Sequence, residues 1–192
     1  MRLRPYRTKY FPYLQKWIGD NRTHALWCAG GLPFPLTQEN FHVMLTEKER
    51  DFGACGYTFT ENDGKPVGFL MYNVNDIENS GFTSFIVVDN SLRGKGYGAQ
   101  MLRHLLKYAF TITNVSKVRL NVFDVNERAK RCYEKVGFSE ESFTPDALTF
   151  EGESWGRYLM AATSPVSSQP HIPGVEWPHS FRCIRRECLH PL

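Results

Sequence analysis

Apolar residues recur with two different periods along the chain, and each period marks a type of element. Tyr97, Met101, Leu102, Leu105, Leu106 and Ala109 repeat at helical spacing, with Gln100, Arg103, His104 and Lys107 on the opposite side. A second stripe holds Ala129, Cys132, Tyr133 and Val136. Asn126 is a good N-cap for it, Glu127 complements the helix dipole, and Gly137 is a natural terminator. Pro12 to Gly19 reads as a helix burying Tyr13, Trp17 and Ile18. Thr37 caps another, with Phe41, Val43, Met44 and Leu45 as its apolar side. Asn40 stands where a capping box carries Glu or Gln, so half a box is expected there.

Shorter apolar blocks bounded by turn residues read as strands. They fall at residues 2–4, Gly56 to Thr60, Val67 to Val74, Ser84 to Val88, Leu120 to Phe123, and about 139–150 and 154–162. Glu61 to Pro66 and Glu151 to Glu153 are hairpin turns, and Ala29 to Pro35 and Asn75 to Gly81 are loops. These elements add up to an α/β (α+β) chain, a mixed sheet with helices on both sides.

The strand ending at Val88 leads into Arg93-Gly94-Lys95-Gly96-Tyr97-Gly98, where the first amphipathic helix begins. Glycines permit positive φ and close approach, so successive N–H groups converge on one point. The helix dipole and the charges of Arg93 and Lys95 add to that field. The expected guest is a phosphate, most naturally a pyrophosphate. A P-loop needs Gly-x-x-x-x-Gly-Lys-Ser/Thr, which is absent. A dinucleotide fold needs Gly-x-Gly-x-x-Gly near the start of a βαβ unit. Here the last glycine comes one residue early and other structure precedes the motif, although Asp124 does follow the next strand.

The loop resembles the Arg/Gln-x-x-Gly-x-Gly/Ala signature of GNAT-type acetyltransferases. A second segment, from Leu120 through Asn126 and Tyr133 to Gly137 and Phe138, is similar to that family's fifth strand, its Asn-initiated helix and its Tyr-x-x-x-Gly-Phe ending. The resemblance covers residues 1 to about 163. It implies a GNAT fold: a mixed, mostly antiparallel sheet of six to seven strands flanked by helices on both faces. It implies acetyl-CoA as cosubstrate, with the loop 93–98 on its pyrophosphate, Ile86, Val87 and Val88 along the pantetheine arm, and Asn126 bonded to that arm. It also implies that Tyr133 protonates the departing sulfur. Read from spacing alone, Tyr133 is a core residue on its stripe sooner than a functional one; the resemblance reverses that order. The acceptor is expected between the first helices, their loop and the last hairpin, with Trp17, Trp27, Phe34, Phe41 and Tyr72 as candidate lining.

No base stands out. Some relatives carry a glutamate where this chain has Asn121, whose amide cannot take a proton. Asp76, Glu78, Asp124, His42 or water remain. The opening Arg4-x-Tyr6…Pro12-x-Leu14-x-x-Trp17-x-x-Asp20 and Gly64-Lys-Pro-Val-Gly-Phe69 resemble the branch of ribosomal-protein N-terminal acetyltransferases. The reading is an enzyme acetylating a primary amine, either a small amine or a peptide N-terminus. A CoA-binding module without turnover is the alternative.

Composition changes little. A net charge of +3 over 192 residues is too small to imply nucleic-acid binding. No apolar run reaches membrane-spanning length, and the five cysteines follow no disulfide-rich pattern, so a reducing cytoplasm and a monomer or homodimer are expected. Residues 164–192 are proline-rich and read as an irregular appendage to a catalytic domain of residues 1–163. They hold His171 and a His179-x-x-x-Cys183-x-x-x-x-Cys188-x-His190 run. That spacing matches none of the usual zinc patterns, and no metal is expected.

Overall fold

The computed structural model describes residues 1–165. Seven strands form one sheet in the order β1-β2-β3-β4-β5-β7-β6. These are β1 (Arg2–Pro5), β2 (Cys55–Thr60), β3 (Pro66–Asn75), β4 (Ser80–Val88), β5 (Lys117–Phe123), β6 (Ser139–Phe150) and β7 (Glu153–Thr163). Every pairing is antiparallel except β4 with β5. That mixed, mostly antiparallel sheet is the expected one, and the final hairpin turns where Glu151-Gly-Glu153 places it.

Helices α1 (Phe11–Trp17), α2 (Asn21–Cys28) and α3 (Gln38–Phe52) cover one face. Phe11, Leu14, Trp17, Trp27, Leu36, Phe41 and Met44 meet Phe69 and Met71 of the sheet there. Helices α4 (Tyr97–Thr111) and α5 (Glu127–Glu134) cover the other. Met101, Leu102, Leu105, Leu106 and Ala109 of α4 are all buried, against Leu70, Val118, Leu120 and Met160. These are the residues its period assigns to the core.

Three local expectations need correction. Tyr13 is 41% exposed, while Phe11, Leu14 and Trp17 are buried. The helical period aligns 11, 14 and 17–18 and turns residue 13 away. On α3, Val43 is likewise exposed, and Phe41 and Met44 carry the packing. The box at Thr37 is complete: its Oγ1 accepts from the Asn40 N–H at 3.2 Å, and Asn40 Oδ1 accepts from the Thr37 N–H at 3.0 Å. An asparagine carbonyl thus takes the part usually given to glutamate.

Helix α2 has no counterpart in the hydrophobic pattern. It is two turns long and buries His24, Ala25, Trp27 and Cys28, a set without a leucine stripe. Its signal is the cap, because Asp20 accepts from the Thr23 N–H at 2.7 Å.

The sheet splits at its centre. Strands β4 and β5 pair only through Ser80–Phe82 and Lys117–Arg119, and beyond that they diverge. On its other side β4 stays paired with β3, but three steps of β4 (Ser84 to Val87) oppose two of β3 (Met71 to Phe69). That bulge contains Phe85 at φ +51°, a conformation side chains rarely adopt. The Trp27 indole holds it, donating to the Phe85 carbonyl at 2.8 Å. A bulge raises local twist, and here it swings the second half of β4 away from β5. Backbone groups of β4 that face away from β3 then have no strand to bind, and they border an open cleft.

Candidate active site

Two cavities of about 470 and 460 Å³ open from this cleft. The first lies toward α4 and α5 and is lined by Ile86, Val87 and Val88, by Arg93, Gly94, Gly96, Tyr97 and Gly98, and by Asn126 and Tyr133. Of the residues expected around the cosubstrate, all but Lys95 line it; Lys95 is exposed and its side chain lies outside.

The loop has the geometry that suits an anion. Gly94 and Gly96 sit at φ +81° and +84°, and Gly96 is the N-cap of α4. No side chain caps this helix, so its first N–H groups are left for a ligand. Arg128 lies beside the loop, its guanidinium 3.7 Å from where a Gly94 side chain would begin. Desolvation and the repulsion of Arg128 pull the Arg93 guanidinium below its ordinary pKa, against Asp20 and Asp89. Two arginines that repel each other over a rim of free N–H groups gain from an anion between them. Arg131 and Lys135 add charge to the same cavity. Hydrophobic periodicity gives no hint of these α5 cations, because they occupy the polar side of a short helix.

Asn126 caps α5, its Oδ1 accepting from the Ala129 N–H at 3.3 Å. That leaves its Nδ2 to donate elsewhere. Tyr97 turns its hydroxyl outward, donating to Glu61 at 2.8 Å.

The second cavity lies toward α2 and α3. Lys48 and Phe52 of α3, Asn73, Thr83, Ser84, Asn121 and Arg157 contribute to its wall. Of the aromatic residues expected around the acceptor, only Trp27 lines it. Trp17, Phe41 and Tyr72 are buried core, and Phe34 packs on His24. Asp76, Glu78, Asp124 and His42 do not line it. Glu78 is paired with Arg119 at 2.9 Å, Asp124 accepts from the Val125 N–H, and Asp76 and His42 are exposed.

The cavities share Leu26, Trp27, Ile86, Asn126 and Tyr133. Tyr133 is buried, and its hydroxyl has no hydrogen-bond partner among the described residues. Burial, with Cys132 adding to it, pushes its pKa well above the usual tyrosine value, so the phenol keeps its proton at neutral pH.

Residues 6–138 match the model of the acetyltransferase (GNAT) family.

This chain belongs to that family.

It is an acetyl-CoA-dependent N-acetyltransferase. The aminoglycoside N(6')-acetyltransferase type 1 of Klebsiella pneumoniae is 36% identical to it over 147 residues, 69% of this chain and 72% of that one. The alpha/beta-tubulin-N-acetyltransferase 9 of Homo sapiens is 23% identical over 193 residues, 91% of each chain. The match to the prophage-derived N-acetyltransferase YokL of Bacillus subtilis spans 62% of that protein at 29% identity. The fold is that of the Vibrio cholerae spermidine N-acetyltransferase solved with CoA and spermine, at a TM-score of 0.72 and 20% identity over 84% of this chain and 94% of that one.

Among the described residues no group of His, Cys, Asp and Glu is placed to hold a metal, and no helix is long and apolar enough to cross a membrane. The tail residues His171, His179, Cys183, Cys188 and His190 lie outside the described residues.

Proposed function

We propose that this acetyltransferase transfers the acetyl group to a primary amine by direct attack, through a tetrahedral intermediate. One observation carries the reading: the cation-lined cavity and the second cavity meet at Ile86, Asn126 and Tyr133. The cosubstrate enters from one side, the acceptor from the other, and thioester and amine meet at the shared wall.

In this scheme the loop 93–98 and Arg128 take the pyrophosphate. The backbone groups of the Ile86, Val87 and Val88 stretch that face away from β3 take the pantetheine amides and polarise the thioester carbonyl. Asn126 Nδ2 donates to the same arm. The amine nitrogen bonds to the acetyl carbon, and its extra proton leaves to water. The C–S bond breaks, the sulfur takes the Tyr133 proton, and the phenolate regains a proton from water before the next turnover. The products are the acetamide and CoA. Burial raises the Tyr133 pKa, so the phenol still holds its proton when the sulfur departs.

No carboxylate is among the second cavity's lining residues, which fits a reaction with no side-chain base. Lys48 and Arg157 instead disfavour the ammonium form, so the reactive free amine is the form the cavity accepts. The resemblance to the ribosomal-protein branch rests on the chain's opening and on Gly64 to Phe69. Relatives named for aminoglycosides and spermidine draw the acceptor toward small amines. The catalytic unit is read as residues 1–163, with 164–192 appended.

The test is release of CoA from acetyl-CoA, followed with a thiol reagent, over a panel of small amines and N-terminal peptides. Turnover above background hydrolysis with one acceptor class is expected. Binding of acetyl-CoA without turnover of any amine would leave a CoA-binding module in its place.

A further inference from the structure

The lining of the second cavity holds two cations and no counter-charge. Lys48 and Arg157 are both half-buried, and neither forms an ion pair among the described residues. Lys48 lies 5.0 Å from the Phe52 ring, which tethers it at the cavity without neutralising it. Arg157 stands on β7 opposite Phe123 of β5. It shares a strand face with Trp155, which packs on Phe123 and on Ala25 of α2.

The other half-buried cations of the sheet are treated differently. Arg119 on β5 bonds Glu141 and Glu78, and Lys117 bonds Glu141. Arg22 of α2 makes a two-pronged pair with Glu153. A half-buried guanidinium with no partner has given up part of its hydration for nothing in return. Its planar fork fits a carboxylate through two parallel hydrogen bonds. Among the other polar groups of the wall, Asn73, Ser84 and Asn121 can bond a carboxylate or an amine alike. A polyamine or an aminoglycoside would bring further ammonium groups toward two like charges.

We infer that the acceptor is a primary amine that also carries a carboxylate, held by Arg157 and Lys48 while its amine faces Ile86 and Tyr133. This rests on the acetyl-transfer reading and specifies its substrate class; the bonds made and broken are those written above.

Matched amines test it, differing only at the far end: β-alanine, propylamine and diaminopropane, then aminopentanoate, pentylamine and cadaverine. Acetyl-CoA binding is measured on the same protein by calorimetry. In at least one set the carboxylate compound is expected to exceed the neutral amine in kcat/KM by roughly ten- to a hundredfold, the range of a hydrogen bond to a charged group, with the diamine last. Arg157→Gln should shrink that ratio toward one by raising KM for the carboxylate compound, and Arg157→Lys should restore part of it. A general folding defect would lower all three amines alike and leave the ratio intact. Preference for diamines or neutral amines, or an unchanged ratio in Arg157→Gln, overturns this inference while acetyl transfer stands. Acetyl-CoA bound with no amine of either set acetylated overturns it too. Failure to bind acetyl-CoA overturns the acetyl-transfer reading, and this one falls with it.

Discussion

The two cavities are nearly equal in volume and share a wall, yet they are made of different materials. On the side assigned to the cosubstrate the backbone sets the shape, through a splayed strand, two glycines at positive φ and an uncapped helix start, and Arg93, Arg128, Arg131 and Lys135 add charge. The acceptor side is made of side chains contributed by α2, α3, β3, β4, β5 and β7. Phosphate and amide groups can be met by N–H groups that nearly every residue has, provided the chain is bent correctly. An acceptor has to be told apart from other amines, and only side chains do that. Substrate preference can therefore change on one side alone. In the proposed scheme, residues of the acceptor wall can be replaced without disturbing the turn assigned to the cosubstrate.

The largest expected effect falls on the shared wall. Tyr133→Phe keeps the buried ring and removes the proton donor. Turnover should drop on the order of 10²- to 10⁴-fold, the usual worth of acid catalysis, with acetyl-CoA affinity little changed. An unchanged kcat would remove Tyr133 from the chemistry and leave it as core.

Gly96→Ala separates the two sides next. At φ +84° a side chain is strained by about 1–2 kcal/mol, and it alters the helix start that faces the ligand. The KM for acetyl-CoA should rise roughly tenfold or more, while KM for the acceptor moves little. Equal losses on both would mean that the two cavities are not independent.

The pH profile isolates the acceptor side. With no carboxylate among its lining residues, kcat/KM should rise with pH along one limb set by the acceptor's own amine. Tyr133 adds no falling limb until pH passes the ordinary tyrosine range, because its pKa is raised and its protonated form is the active one. Replacing the acceptor by one with a lower amine pKa should move the limb down by the same amount. A limb fixed near pH 6–7 for every acceptor would reveal a side-chain base.

Thr37→Ala, remote from both cavities, sets the lower bound. It removes one half of the α3 cap and should cost about 1 kcal/mol of stability in denaturant unfolding. The acetyl-CoA KM should stay as it is.

The same contrast between local and assembled features decides what is legible in the sequence. The glycine loop, the α4 stripe, Asn126 and Tyr133 are contiguous signals, each needing only a short stretch of chain to be meaningful. The final hairpin is equally plain from Glu151-Gly-Glu153. Helix α2 is not, since a short helix with His24 and Cys28 on its buried side carries no regular apolar period. Nor is the acceptor wall, because Lys48, Asn121 and Arg157 lie far apart in sequence and meet only through the split between β4 and β5. Trp27 is a recognisable aromatic candidate, but its bond to the Phe85 carbonyl depends on a bulge that periodicity does not show. Arg128 escapes notice for a similar reason, since it reaches the glycine loop only once α5 packs beside α4.

Thermal unfolding with and without acetyl-CoA asks most directly whether the split sheet and the 93–98 loop form a CoA site. Ligand at a hundred times its Kd should add about 2.7 kcal/mol. For a chain of this length that raises Tm by roughly 5–10 °C, and the rise should be lost when Arg93 and Gly96 are both replaced. No rise at millimolar acetyl-CoA would refute a CoA site there and leave the glycine loop as a structural turn.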